Sequence, residues 1–233
     1  MSETHVIEIS NVRKEYMLGE TKVEALKGVS LIAEKGEFIA IAGPSGSGKS
    51  TILNMIGCID TPTSGNVIIN GKEVNGLSDK ELTRYRRVTV SFIFQSFNLI
   101  PVLNVYENIE LPLLLQKITD PKIRHARVMH FITEVGLCDR IKNRPSELSG
   151  GQRQRVAIAR ALVTKPIMVL ADEPTANLDS ATGARIIDLM REINARKGTT
   201  FIFSTHDHNI MEHARRIVHI QDGLITGDEK KAA

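Results

Sequence analysis

The sequence predicts an α/β protein built on a parallel sheet, and three observations carry that expectation. Residues 38–42, 90–94, 167–171 and 200–203 are short, continuous apolar runs, the pattern of strands covered on both faces. Helical stretches at about 152–163 and 181–196 precede the last two runs. Such alternation argues for a parallel sheet with crossover connections. A glycine-rich loop joins the first run directly to a further helix at about 49–59.

The remaining elements follow in chain order. His5-Val6-Ile7-Glu8-Ile9 alternates apolar and polar residues, 29–33 reads as a second strand, and 66–71 ends on an Asn-Gly turn signal. Residues 97–145 break the α/β alternation with Pro101, Pro112 and Pro121. Within them, 122–135 carries Ile123, Ala126, Met129 and Ile132 at helical spacing, so a mostly helical insertion is expected. The tail at 228–233 is expected to fray.

Composition narrows the function classes. With 233 residues, 42% hydrophobic and 24% charged, the chain is globular rather than disordered or fibrous. Four per cent aromatic residues and no Trp leave little for a stacking platform. Thirty Lys and Arg against 27 Asp and Glu give +3, too weak a balance for a nucleic-acid partner. Cys58 and Cys138 lack any CxxC or His-rich neighbour and are expected to be buried or semi-buried reduced thiols. Met1-Ser2-Glu3-Thr4-His5 is polar and acidic, unlike a secretory leader, and no apolar run has bilayer-spanning length. The expectation is a soluble intracellular chain, not itself inserted in a membrane, whose membrane link, if any, runs through partners.

The chemistry begins at Gly43-Pro44-Ser45-Gly46-Ser47-Gly48-Lys49-Ser50, which fits G-x-x-x-x-G-K-[ST] between a strand and a helix. Glycines let the backbone wrap a polyphosphate with successive N–H groups inward, and the helix N-terminus adds positive partial charge. Lys49 is placed to reach the terminal phosphates and Ser50 to ligate Mg²⁺. Thr51 stands where a dinucleotide fingerprint would need its third glycine, so that alternative fails. A phosphate loop needs a carboxylate at a second strand end. Asp172 supplies it, and Glu173, turned to another side, is the natural base for an attacking water. Leu148-Ser149-Gly150-Gly151-Gln152 opens a second helix with Ser149 as N-cap and exposed amides, a second anion site that invites a ligand held by another copy.

Together these motifs resemble the nucleotide-binding subunit of an ATP-binding-cassette transporter over nearly the whole chain. The Walker A stretch (43–51), the LSGGQ signature (148–152) and the Walker B stretch (168–173) occur in family order. Gln95 falls at the Q-loop, Asn177-Leu178-Asp179 at the D-loop and His206 at the switch histidine, and Tyr16 lies where an aromatic residue stacks on adenine.

The resemblance implies a P-loop core with a parallel sheet, an N-terminal antiparallel β part and an inserted helical subdomain. The core would comprise 1–96 and 165–233, and the helical signature subdomain 97–164, within a single domain of 1–233. It implies ATP and Mg²⁺ as ligands, with Lys49, Gln95, Glu173 and His206 catalytic. Ser50, Gln95 and Asp172 would serve the metal. Ser149, Gly150, Gly151 and Gln152 would touch nucleotide across a head-to-tail homodimer, and Asp179 would link its two sites.

A membrane permease, expected to carry a periplasmic domain, would dock on the helical lobe and hold the chain at the inner face of the cell membrane. Residues 56–65, 97–101, Glu107-Asn108 and 111–113 are similar to the lipoprotein-releasing and macrolide-export subfamily. The alternatives are a cell-division cassette regulating wall hydrolases and a soluble cassette ATPase acting on DNA or ribosomes. His206-Asp207-His208 is not expected to bind metal, His125 and His130 read as solvated, and Arg84, Arg86 and Arg87 read as a solvated face.

Overall fold

A computed structural model describes residues 5–231. Two long strands, β1 (His5–Leu18) and β2 (Thr21–Glu34), pair antiparallel and lead into β3 (Phe38–Ala42). The phosphate loop and α1 (Lys49–Ile56) follow, then β4 (Ser64–Ile69), β5 (Lys72–Glu73), α2 (Asp79–Thr89) and β6 (Val90–Ile93). Helices α3 (Val105–Leu115), α4 (Pro121–Glu134) and α5 (Gly150–Leu162) come next, then β7 (Met168–Ala171) and α6 (Ser180–Lys197). The chain closes with β8 (Thr200–Thr205), α7 (His208–Met211), β9 (Arg216–Gln221) and β10 (Leu224–Lys230).

One sheet has the order β2-β1-β4-β5 and is antiparallel; the other has the order β10-β9-β3-β8-β7-β6 and is parallel except at the β9–β10 edge. The apolar runs are continuous because the larger sheet separates two cores. Phe38, Ala40 and Ala42 face one core with Phe201 and Phe203; Ile39 and Ile41 face the other with Ile202. Buried residues of α3, α4 and α5, such as Ile109, Phe131 and Val156, belong to the first core, so the inserted helices pack as part of the sheet's cover.

Local signals explain most boundaries. Asn70 and Gly71 both adopt positive φ (47° and 73°) in the two-residue turn joining β4 to β5. Asp120 caps α4 through the Lys122 N–H, with Pro121 at the first helical position.

Several expectations need correction. The helix expected to reach residue 59 stops at Ile56, where Gly57, packed so close to Phe92 that a Cβ would lie 2.0 Å from its ring, and Cys58 (φ 53°) turn the chain. Helix α2 had no assignment: only Leu82 and Thr89 are buried, so periodicity is weak. The missed signal was Ser78-x-x-Glu81, whose Ser78 N–H donates to Glu81 at 2.9 Å. Arg86 is no solvated face, since it donates to the Cys58 carbonyl at 2.5 Å. Cys138 is exposed, not buried. His125 and His130 are exposed, as expected, and meet the Tyr106 hydroxyl at 3.2 Å and Lys197 Nζ at 3.0 Å.

The tail does not fray at Asp228–Lys230, which lie in β10; Ala232 and Ala233, like the leader residues 1–4, lie outside the described residues. The reason is Arg216, almost buried, which donates to both Asp228 carboxylate oxygens (2.8 and 2.7 Å), to Glu37 (2.8 Å) and to the Ile32 carbonyl (2.8 Å). Hydrogen bonds from Arg216 hold the Asp228 carboxyl below its ordinary range.

Arg216→Met is expected to destabilise the chain by about 3 kcal/mol, because it removes the nearly buried cation that joins Glu37 to Asp228. A carboxyl with a depressed folded value supports stability above its unfolded pKa of about 3.9, and that support fades as pH falls through the folded value. Urea midpoints measured from pH 7 to pH 3 check both: wild type loses stability more steeply at the acid end than Arg216→Met.

Candidate active site

Four strand ends converge at the C-terminal edge of the parallel sheet. From β3 the chain enters the phosphate loop, which passes so close to β9 that a Cβ on Gly43 would lie 2.1 Å from the Ile220 carbonyl oxygen. Gly46 and Gly48 adopt positive φ (80° and 108°), turning the loop back into α1. Lys49, 5% exposed, donates to the carbonyls of Gly43 and Pro44 at 2.8 and 2.9 Å and lies 3.8 Å from Glu173. The Ser50 hydroxyl donates to Asp172 Oδ1 at 3.1 Å. A cavity of about 290 Å³ is lined by Ala25, Ser45, Gly48, Lys49, Gln95 and Glu173, among others. A hydroxyl and a carboxylate side by side are the hard oxygen donors that suit Mg²⁺, so the residues present fit that ion.

Glu173 has φ 44°, a conformation that costs a non-glycine residue energy. This backbone twist is what turns its side chain away from the direction of Asp172. Its N–H donates to the Ser204 hydroxyl at 2.8 Å, and that hydroxyl donates to Asp172 Oδ1 at 2.6 Å. Ser204 is fully buried and joins the Asp172 carboxylate to the Glu173 backbone. Sequence reading missed it, because the apolar run ends at Phe203 and nothing local shows that Ser204 continues the strand beside Asp172. His206 Nδ1 lies 3.0 Å from Glu173 Oε1, so one carboxylate oxygen faces both a buried ammonium and an imidazole. A water placed there could lose its proton to Glu173, while Lys49, the loop amides and His206 face developing negative charge.

The other expected residues occupy different places. Pro44 and Gln95 are exposed, and the Gln95 carbonyl accepts from Asn177 Nδ2 at 2.8 Å. Thr51 lines the same cavity. Ser149, Gly150, Gly151 and Gln152 do not line it. There Ser149 and Gln152 close a capping box at the start of α5, with N–H to side-chain distances of 2.9 and 3.3 Å. Asp179 caps α6 by accepting from the Thr182 N–H at 2.9 Å, which together with the Thr182 hydroxyl holds its carboxyl below the usual range. Tyr16 is half-buried, and its hydroxyl donates to Asp60 at 2.8 Å. Beyond Gln95, Phe97 and Asn98 both have positive φ (62° and 47°); Arg160 of α5 grips their carbonyls at 2.8 and 2.5 Å. That grip ties the signature helix to the Gln95 segment.

The model of the family described as ABC transporter matches residues 26–176. The chain belongs to this family. An uncharacterized ABC transporter ATP-binding protein of Thermotoga maritima is 47% identical, covering 97% of this chain and 96% of the relative. The macrolide export ATP-binding/permease protein MacB of Bdellovibrio bacteriovorus is 43% identical over 98% of this chain, which spans only 34% of that longer protein. The dimeric cassette MJ0796 of Methanocaldococcus jannaschii, solved in a post-hydrolysis state with ADP and Pi, superposes with a TM-score of 0.89 at 44% identity, covering 97% of this chain and 99% of that one. The protein is thus an ABC ATPase, an ATP-binding subunit of an ABC transporter with the cassette fold. Among the described residues no helix is long and apolar enough to cross a membrane.

Ser204→Ala leaves the phosphate loop intact and removes the bridge between the Asp172 carboxylate and the Glu173 backbone N–H. Steady-state ATPase assays are expected to show kcat reduced on the order of fivefold, with KM for ATP nearly unchanged. An unaltered kcat would show that the twist at Glu173 holds without this hydroxyl.

Proposed function

We propose that two copies of this chain close head to tail around two ATP molecules, the phosphate loop of one facing Ser149–Gln152 of the other. The observation that carries the reading is the separation of two anion-binding helix starts. Ser45, Gly46 and Gly48–Thr51 line the cavity with Glu173, whereas the start of α5 at Ser149–Gly151 lies on a different, partly exposed surface of the same chain. A single ATP on one copy is served by the first, and the second completes the site of a partner copy.

In this reading Glu173 accepts the proton of the attacking water at Oε1, and His206 steadies that carboxylate and the γ-phosphate. Lys49 and the loop amides bind the β- and γ-phosphates, Tyr16 meets the adenine, and Gly150 and Gly151 admit phosphate oxygens to the amides of α5. Ser50, Asp172 and Gln95 would hold Mg²⁺, which supplies charge neutralisation at the phosphates when bound. Asp179 stands at the copy-to-copy seam. Closure would be transmitted from Gln95 to the helical region 97–164 through the Arg160 contacts.

We further propose a membrane permease of the lipoprotein-release or macrolide-export type as the driven partner, with this chain peripheral at the inner face of the membrane. The support is twofold. MacB-named relatives carry this cassette as about a third of a longer ATP-binding/permease chain. A groove of about 600 Å³ beside the Gln95 segment is lined by Phe92, Phe94, Pro112 and Leu115, with Arg86 and Arg87 at its edge. That chemistry suits an amphipathic segment with apolar and acidic side chains.

Glu173→Gln is expected to lower hydrolysis by about 10²- to 10⁴-fold and to accumulate ATP-dependent dimers in sedimentation velocity. A variant that remains monomeric with ATP, or that turns over at the wild-type rate, would reject the sandwich. Leu115→Asp, at an exposed groove position, should abolish co-purification of a co-expressed permease and leave basal ATPase unchanged. Retained co-purification would place the docking surface elsewhere.

A further inference from the structure

Asp60 has no role among the ATP-site residues described above, yet three donors converge on its carboxylate. Lys14 Nζ donates to Oδ1 at 2.6 Å, the Tyr16 hydroxyl donates to Oδ2 at 2.8 Å, and the Thr61 N–H donates to Oδ1 at 2.7 Å. Lys14 also donates to the Thr61 carbonyl at 2.7 Å, and its ammonium sits 4.9 Å from the centre of the Tyr16 ring. Only 12% of the Lys14 side chain and 30% of the Asp60 side chain are exposed.

We infer that Asp60 and Lys14 are positioning residues for the nucleotide base, acting through Tyr16; the inference rests on the reading of Tyr16 as the ring that meets adenine. An aromatic side chain on a strand near a chain end rotates about two torsions, and a base that stacks on it must first stop that rotation. Here the rotation is already stopped. The hydroxyl is tied to a carboxylate, and the ammonium of Lys14 covers one face of the ring, so a base has only the opposite face to use. Donation to a carboxylate also enriches the ring electrons that a base stacks against. Burial and then the Asp60 carboxylate push the Tyr16 hydroxyl up to about 12, so it stays a donor at every physiological pH.

The placement of Asp60 adds registration. It lies in the turn that leaves α1, with the N–H groups of Ile59 and Asp60 donating to the Asn54 carbonyl at 3.0 and 3.3 Å. The same helix begins at Lys49, Ser50 and Thr51. The phosphate-binding end and the base-binding ring are therefore both referred to one short helix, although Tyr16 itself belongs to β1. The Lys14 and Tyr16 bonds to Asp60 tie β1 to the turn after α1, beside the bonds from the Thr63 N–H to the Arg13 carbonyl (2.9 Å) and from the Glu15 N–H to the Thr63 hydroxyl (3.0 Å).

The test compares two ligands that differ in the base. Calorimetric titration of the purified full chain with ADP and with inorganic pyrophosphate, both in Mg²⁺ buffer, separates base contacts from phosphate contacts. Asp60→Ala is expected to weaken ADP about three- to tenfold, the cost of re-freezing one ring, while pyrophosphate affinity is unchanged. Asp60→Asn, which keeps an acceptor and guards against a misfolded turn, should retain most of the ADP affinity. In a Tyr16→Ala background Asp60→Ala should add nothing. The proposal is overturned if Asp60→Ala weakens ADP and pyrophosphate alike, if its effect multiplies with that of Tyr16→Ala, or if Tyr16→Ala weakens ADP while Asp60→Ala does not. Should Tyr16→Ala leave ADP binding intact, the stacking reading fails, and this inference with it.

Discussion

The ammonium of Lys49 lies almost fully inside the protein, between two loop carbonyls and the Glu173 carboxylate, and that placement makes demands on the whole fold. A buried cation needs oxygen partners on every side. The carbonyls of Gly43 and Pro44 can supply them only if the loop curls back on itself, which requires positive φ at Gly46 and Gly48. The curl in turn needs Gly43 to pass under Ile220 of β9, and the carboxylate requires β7 to end beside β3 with one strand, β8, between them. The parallel sheet supplies this geometry because its strands all end at the same edge.

Around that centre the site is held by groups that do no chemistry themselves. Ser204 joins the Asp172 side chain to the Glu173 backbone across neighbouring strands, and stabilises a backbone angle that a glutamate would not adopt alone. Arg160 does a similar service farther out. Two consecutive residues after Gln95 stand in the left-handed region, and a single guanidinium holds their carbonyls. At both places a non-glycine backbone stands in the left-handed region, which costs energy that the surrounding hydrogen bonds must offset. Arg160 therefore links α5 to the segment after Gln95 rather than forming part of a basic surface.

What could be read from the residues depended on the range of the physics involved. The phosphate loop was legible because backbone curvature and charge are local to eight residues. The capped start of α5 was legible for the same reason, through Ser149. Helix α2 escaped because its apolar face is narrow and its arginines masked the capping signal at Ser78 and Glu81. The tail was misread because nothing near Asp228 in the chain shows that Arg216 and Glu37 will meet it. Asp179 reads as a linker of two sites from its motif, and within the chain its carboxylate is already a helix cap.

By itself, the sequence determined the elements whose causes are near in the chain: apolar runs that must be covered on both faces, a glycine loop that must bend, and a carboxylate at a strand end. It determined the family for the same reason, because the family's chemistry is written in such short stretches. Only the tertiary structure decided which distant groups touch. Ser204 meets Asp172, Tyr16 meets Asp60, Arg160 meets the Gln95 segment, and Arg216 anchors the final strand. Each of these joins residues that the sheet order or the helix packing brings together. A hydrogen bond acts over about 3 Å, and no local pattern carries information about a partner tens of residues away.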